Sequence, residues 1–260
     1  MFILTIVATM WTDTVQAQTK YKIIIADVRV TSDNCDDLSV IDGISGTVKY
    51  DNSTKTLTLQ DAQINARRYT IYSGIEDLTI KVIGSNELNS KESRAIYTEC
   101  PLTITGGGIL NAESSGSDAI FVKKASLTID NCIVNAEGER YGIIVDRGTL
   151  ETLTIRNATV TAQGKDGSIL GCGENELKGC YITKPSGAKF DPWLQAVALN
   201  GEIVKERVVI KKDPTAIDTP TANAATKQGI YTLEGMRLRG SLENLPKGMY
   251  IVNERKVVKK

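Results

Sequence analysis

Histidine is absent from all 260 residues. With it go the commonest general base and the commonest metal ligand. His-type zinc sites and Ser–His or Cys–His nucleophilic arrangements are therefore excluded. Aromatic residues are scarce, at 5%, which suits thin stacked strands better than a globular sandwich. Net charge is missing too, since 31 basic residues balance 31 acidic ones. The only marked imbalance is local: from Lys227 onward there are eight basic and three acidic residues. Those basic residues do not interleave with aromatics, so no nucleic-acid footprint is expected. Long apolar runs are lacking as well, and no segment is long enough for a membrane span. The apolar run that does occur, MFILTIVATMW at 1–11, reads as an export signal. Val15-Gln16-Ala17 supplies small residues for cleavage before Gln18. Five cysteines, an odd number, do not make the framework of a small disulfide scaffold. Cys132 and Cys180 read instead as buried small apolar residues, the alternative for Cys180 being a disulfide to Cys172 that closes a short loop.

What the chain has is a phrase repeated about every two dozen residues. It reads ASLTIDNCIVNAEG at 125–138 and ETLTIRNATVTAQG at 151–164, with looser copies at 55–66, 76–88, 100–113 and 174–185. A second apolar phrase lies between copies: Ala95-Ile96-Tyr97, Ala119-Ile120-Phe121, Gly142-Ile143-Ile144 and Gly167-Ser168-Ile169. Within Leu-Thr-Ile the alternation points Leu and Ile inward and Thr outward. Asp61, Asn131 or Asn157 follows, a residue that tolerates the left-handed conformation of a sharp corner. A small residue comes next: Ala62, Cys132 or Ala158. Three short strands per coil, one tight corner and variable other corners predict an all-β, three-sided coil with a period of about 24 residues.

The same signals divide the chain. Residues 1–17 are a signal peptide and 18–54 are N-terminal cap strands. Tyr21–Val30 reads as one strand, Thr31–Ile41 as a turn or short helical piece, and a hairpin surrounds Asp51-Asn52-Ser53. Residues 55–185 are the repeats. Residues 186–212 form a cap hairpin in which Ala196–Leu199 and Ile203–Ile210 flank a type I′ turn at Asn200-Gly201. Residues 213–228 are a linker, and 229–260 are a separate small β unit.

The Leu-Thr-Ile-x-Asn-Ala/Cys-x-Val phrases resemble the right-handed parallel β-helix of the pectate-lyase-like superfamily. That superfamily includes lyases, hydrolases, adhesins and carbohydrate-binding modules, so the resemblance implies a fold more than an activity. The segments Ile230-Tyr231-Thr232-Leu233-Glu234-Gly235 and Leu245-Pro246-Lys247-Gly248-Met249-Tyr250-Ile251-Val252, with the basic end, resemble the C-terminal sorting domains of secreted Bacteroidetes proteins. Type IX secretion and a secreted or outer-surface location are what that resemblance implies.

In the resembled superfamily, sugars bind along one sheet. With Ile71, Ile96, Ile120 and Ile143 pointing inward, Tyr72, Tyr97, Phe121 and Ile144 form an outward column, a natural platform for pyranose faces. Lys123, Asp146 and Arg147 complete the expected ligand-binding set, with Arg94 and Asp118 nearby. The expected partner is a polysaccharide or host or cell-surface glycan, bound by a monomer without catalysis. The alternatives are a calcium-dependent polysaccharide lyase, with Lys123 or Arg147 as base, and a structural spacer without ligand. No cofactor is required, and calcium is the one left open. Asp118, Asp146 and Asp166 are read near the same corner of successive rungs, too few for its six to eight oxygen ligands. No metal ligand is assigned.

Overall fold

The structure, a computed structural model, describes residues 17–146, 151–171, 174–214, 230–232, 237–238, 244–252 and 255–259. The expected signal peptide (but for its last residue), Arg147, Cys172 and most of the expected linker lie outside these residues. The chain divides into two compact units, residues 1–216 and 217–260.

The first unit is a parallel β-helix of about five turns with a period of roughly 24 residues. Leu78, Leu102, Leu127 and Leu153 are successive neighbours in register, as are Ile80, Ile104, Ile129 and Ile155. All of them are buried. The second strand of each rung adds the interior columns Leu110–Val134–Val160 and Ala112–Ala136–Ala162. The third adds Ile71–Ile96–Ile120–Ile143–Ile169. Each Leu or Ile buried this way contributes about 1.5–3 kcal/mol. Their stacking one above another makes a single continuous core. The three-strand pattern is clearest at Leu127–Asp130, Ile133–Gly138 and Tyr141–Val145.

A left-handed residue turns the first corner of every rung. Asp61, Gly84, Gly107, Asn131, Asn157 and Gly179 have φ of 47°, 66°, 83°, 50°, 48° and 62°. Glycine takes this conformation without a Cβ penalty, and Asn or Asp does so at modest cost. Replacing Asn157 by Ala is therefore expected to lower stability by about 1 kcal/mol, whereas Asn157→Gly should be nearly neutral. Chemical denaturation of the two variants checks the difference, and equal losses would contradict it.

Asn131 and Asn157 occupy one column, as the sequence implies, because Ile133 stands beside Thr159. Asp61 does not share it. Gln63 stands beside Glu87, whose column continues through Asn111 to Asn135. Ala62 thus falls level with Asn86, Leu110 and Val134, two residues on from Cys132. The cause is the N-terminal cap. Thr56–Ala66 runs through the corner as one strand because Ile44–Asp51 pairs antiparallel along both of its halves. The cap strand bends with it through a register shift between Ser45 and Thr47, where Gly46 (φ 77°) leaves room for the Asp61 carbonyl.

Two cap elements differ from the sequence reading. Tyr21–Val30 is not one strand but a hairpin, Lys20–Ile25 against Val28–Thr31. Ala26 and Asp27 both take positive φ at its turn. The Asp27 carboxylate accepts the backbone N–H groups of Arg67, Arg68 and Tyr69 at 3.0–3.1 Å, tying the turn to the first rung. At the other end, Asn200 and Gly201 form the expected two-residue positive-φ turn. Its second strand, however, is only Glu202–Ile203. Val208–Lys212 leaves for the other sheet, where it lies antiparallel to both Thr159–Gly164 and Cys180–Lys184. It caps that face, because the last rung's open edge needs a partner.

The second unit holds a four-stranded antiparallel sheet in the order Arg237–Leu238, Ile230–Tyr231, Gly248–Val252, Arg255–Lys259. Tyr250 is buried, and its hydroxyl donates to the Pro246 carbonyl at 2.7 Å.

Candidate functional site: an aromatic strip on the short-strand sheet

Three-residue strands build the third face: Ile71–Ser73, Ile96–Thr98 and Ile120–Val122. Their first and third residues point into the core, so the middle one faces out. Those middle residues are Tyr72, Tyr97 and Phe121, each half-buried and each the register neighbour of the next. Ring centroids lie 5.3 Å apart for Tyr72–Tyr97 and 5.5 Å for Tyr97–Phe121. The expected column is thus a contiguous strip. It stops at Phe121, because Ile144, flanked by Phe121 and Leu170, is only 8% exposed.

A fourth ring was not expected. Tyr69 stands at 5.7 Å from Tyr97 with the planes only 25° apart, and at 5.8 Å from Tyr72. It sits two residues before Ile71, as Arg94 does before Ile96 and Asp118 before Ile120. Carrying the strand register back into the corner would have found it. Cations edge the same side. The Arg94 guanidinium lies 4.3 Å from the Phe121 centroid and 5.3 Å from that of Tyr97, and Arg68 lies 5.6 Å from Tyr69. Contacts of this kind contribute roughly 0.5–1 kcal/mol at exposed sites. Arg94 is held by Asp118, whose Oδ2 accepts from Nε at 3.0 Å. Asp118 is 1% exposed, and its Oδ1 has no hydrogen-bond partner.

Glu99 organises the opposite side, three residues after Ile96. Tyr97 donates its hydroxyl to Oε1 at 2.8 Å and Tyr72 to Oε2 at 3.3 Å, while the Lys123 ammonium is 3.2 Å from Oε1. The bonds from Tyr97 and Lys123 lower the Glu99 pKa. Burial, then Glu99, raises that of Tyr97. The sign of each shift fixes the window. The Glu99 contribution is full above the ordinary carboxylate range and is lost as pH falls through the lowered folded value. The Tyr97 contribution is full below the ordinary phenol value and is lost as pH rises through the raised one. Glu99 and Tyr97 therefore both keep their ionisation state across neutral pH. Glu99 shares its offset with Lys123 and Asp146, three residues after Ile120 and Ile143, so the same register argument would have included it.

The expected set is brought together in part. Tyr72, Tyr97 and Lys123 meet around Glu99, and Phe121 packs against Tyr97. Asp146 follows Lys123 by one rung, its N–H donating to Val122 as that of Lys123 donates to Thr98. Arg147 lies outside the described residues. The three carboxylates weighed for calcium do not share a corner: Asp118 and Asp166 lie two and three residues before Ile120 and Ile169, whereas Asp146 follows Ile143 by three. Opposite ends of the short strands separate Asp146 from the other two. Among the described residues no group of three or more Cys, Asp or Glu side chains is arranged to hold a metal ion. In comparisons with known proteins, no family model, curated protein or solved structure matches this chain.

Proposed function

We propose that this chain is an exported, non-catalytic carbohydrate-binding or adhesin-like surface protein whose glycan ligand lies on the Tyr69–Tyr72–Tyr97–Phe121 strip. The observation that carries this reading is the strip itself. Four half-exposed rings, three on the short-strand sheet and Tyr69 at its corner, form one connected set with neighbouring centroids 5.3–5.8 Å apart. Rings that add only stacking stability have no need of polar groups along both edges. Here Arg68 and Arg94 line one edge and Glu99 and Lys123 the other, and hydroxyl-bearing ligands are bound by such mixtures of apolar face and polar rim. The reading places the chain with the carbohydrate-binding or adhesin-like members of the pectate-lyase-like superfamily, of the Bacteroidetes type. Its final segment would act as a sorting signal, and its location would be extracellular or on the outer surface. Calcium remains the cofactor to test.

The lyase alternative is the weaker one. Its base would have to be Lys123 or Arg147, and the Glu99 hydrogen bond raises the Lys123 pKa, holding the amine protonated.

A glycan-array screen of the full chain, with and without calcium, tests the proposal. Binding to one polysaccharide class is expected, with affinity falling about tenfold or more in Tyr97→Ala/Phe121→Ala, since each stacked ring contributes roughly 0.5–1.5 kcal/mol beyond its buried area. A well-folded protein that binds no glycan, or a double variant that binds as well as the parent, would refute it.

A further inference from the structure

Large apolar side chains that stay exposed in the first unit, among the described residues, are Val28, Val40, Ile133, Tyr181 and Trp193. Four of these five stand at the two ends of the coil. Val28 is on the outermost strand of the short-strand sheet at the N-terminal end. Val40, 71% exposed, projects from the short 3-10 helix Leu38–Val40, whose Leu38 is buried in the core. At the other end, Tyr181 lies on Cys180–Lys184, the last strand of its sheet, and Trp193 follows Lys189–Asp191, the last strand of the other. Trp193 is 93% exposed, yet its turn is fixed: the Asp191 carboxylate accepts the N–H groups of both Trp193 and Leu194 at 2.9 and 3.0 Å.

Charge divides the same way. Residues 31–42 carry Asp33, Asp36, Asp37 and Asp42, and no basic residue. Residues 180–212 carry six basic residues against Asp191, Glu202 and Glu206, a net +3. Asp166, Glu202 and Glu206 gather with Leu194, Ile203 and Lys205 around an 860 Å³ cleft, three acidic groups to one basic. The other basic residues of this segment do not line it: Tyr181 stands opposite Lys211, with Lys184 on the same strand.

We infer that the two ends bind each other in successive copies of this chain, head to tail. Val28, Val40 and the aspartate loop of one copy meet Trp193, Tyr181 and the lysines of the next. An interface between different surfaces of the same protein is not two-fold symmetric, and where its rotation does not close a ring it builds an open series, the case expected of two surfaces at opposite ends of one coil. Direct strand addition at the N-terminal edge is blocked, because Asn34 donates to the Arg29 carbonyl and accepts the Thr31 N–H. The contact is therefore made by side chains, with an exposed Trp as the kind of anchor that dominates interfaces.

Sedimentation velocity on the full chain over a wide concentration range tests this. The mass should keep rising with concentration, without a plateau at the dimer, and the rise should weaken with added salt. Val40→Glu and Trp193→Glu, both at exposed positions, should each be monomeric alone. Mixed, they should give a dimer and nothing larger, because each retains the end the other lacks. A parent protein with one mass at all concentrations, a plateau at a dimer, or a mixture of variants that stays monomeric overturns the inference.

Discussion

Arg94→Ala should lower the unfolding free energy by about 3 kcal/mol, and adding Asp118→Ala should return a good part of that loss. The reason lies in the asymmetry of buried charge. Removing one partner of a buried pair typically costs about 3–5 kcal/mol, because the other is left uncompensated. The low end applies here, since Arg94 keeps 24% of its side-chain exposure while Asp118 keeps 1%. Asp118 has little else to lean on: its remaining neighbour is the Ser117 hydroxyl at 3.5 Å, and its Oδ1 is already unpartnered. Removing both charges deletes the uncompensated carboxylate together with its counter-ion. Urea unfolding of the two single variants and the double variant forms the cycle. Strict additivity would show that the pair is not coupled. The same cycle bears on the strip, because the Arg94 guanidinium that Asp118 holds is the group lying over Phe121 and Tyr97.

Asn86→Asp should be at least as damaging, and its cost should depend on pH. Asn86 is fully buried in an interior column whose next members are Leu110 and Val134. It is nonetheless satisfied on both sides of its amide. Oδ1 accepts the Ala62 N–H at 3.0 Å, and Nδ2 donates to the Ile83 and Ile109 carbonyls, both at 3.1 Å. One side chain thus ties three successive rungs together. Aspartate of the same shape keeps the first bond but turns an acceptor toward two carbonyl oxygens and places a charge in an apolar interior. A loss of about 3–5 kcal/mol at neutral pH is expected. Burial would raise the folded pKa of the new carboxyl above its unfolded value. Its stability is then greatest below the unfolded value and falls as pH rises through the folded one. Asn86→Leu, which matches Leu110 in shape, should cost about 1–3 kcal/mol for the Ala62 N–H left without an acceptor. Denaturation midpoints across acidic to neutral pH decide the matter. An Asn86→Asp variant no weaker at neutral than at acidic pH would be inconsistent with the buried-amide account.

Most of the coil was legible in the sequence because its signal is repeated. Leu127-Thr128-Ile129 and Leu153-Thr154-Ile155 carry the same alternation, and Asn131 and Asn157 mark the same corner. Repetition also exposed the aromatic column, since Tyr72, Tyr97 and Phe121 each follow an inward isoleucine. What was hidden lay where the repeat is broken by pairing with something outside it. Asp61 looks like Asn131, but its strand also pairs with Ile44–Asp51, and the second pairing shifts the corner. Ala26-Asp27 is not a strong turn dipeptide, and its turn depends on Arg67, Arg68 and Tyr69, some forty residues away. Glu99 and Tyr69 were missed for a simpler reason: they sit at the ends of three-residue strands, where alternation stops, and only the spacing from the neighbouring rungs places them.

The buried thiols have a consequence of their own. Cys132 and Cys180 bond to the Ile104 and Ile155 carbonyls at 3.5 and 3.1 Å, and burial pushes the Cys132 thiol up to about 12. Neither is an available thiolate at neutral pH, so an alkylating reagent can reach them only when the rungs part. Cys132 sits in the interior of the stack and Cys180 in its last rung. In a chain of units that touch only their neighbours, opening spreads from the ends. The two sulfurs therefore act as built-in clocks, Cys180 timing how fast the coil frays and Cys132 timing how rarely its centre opens.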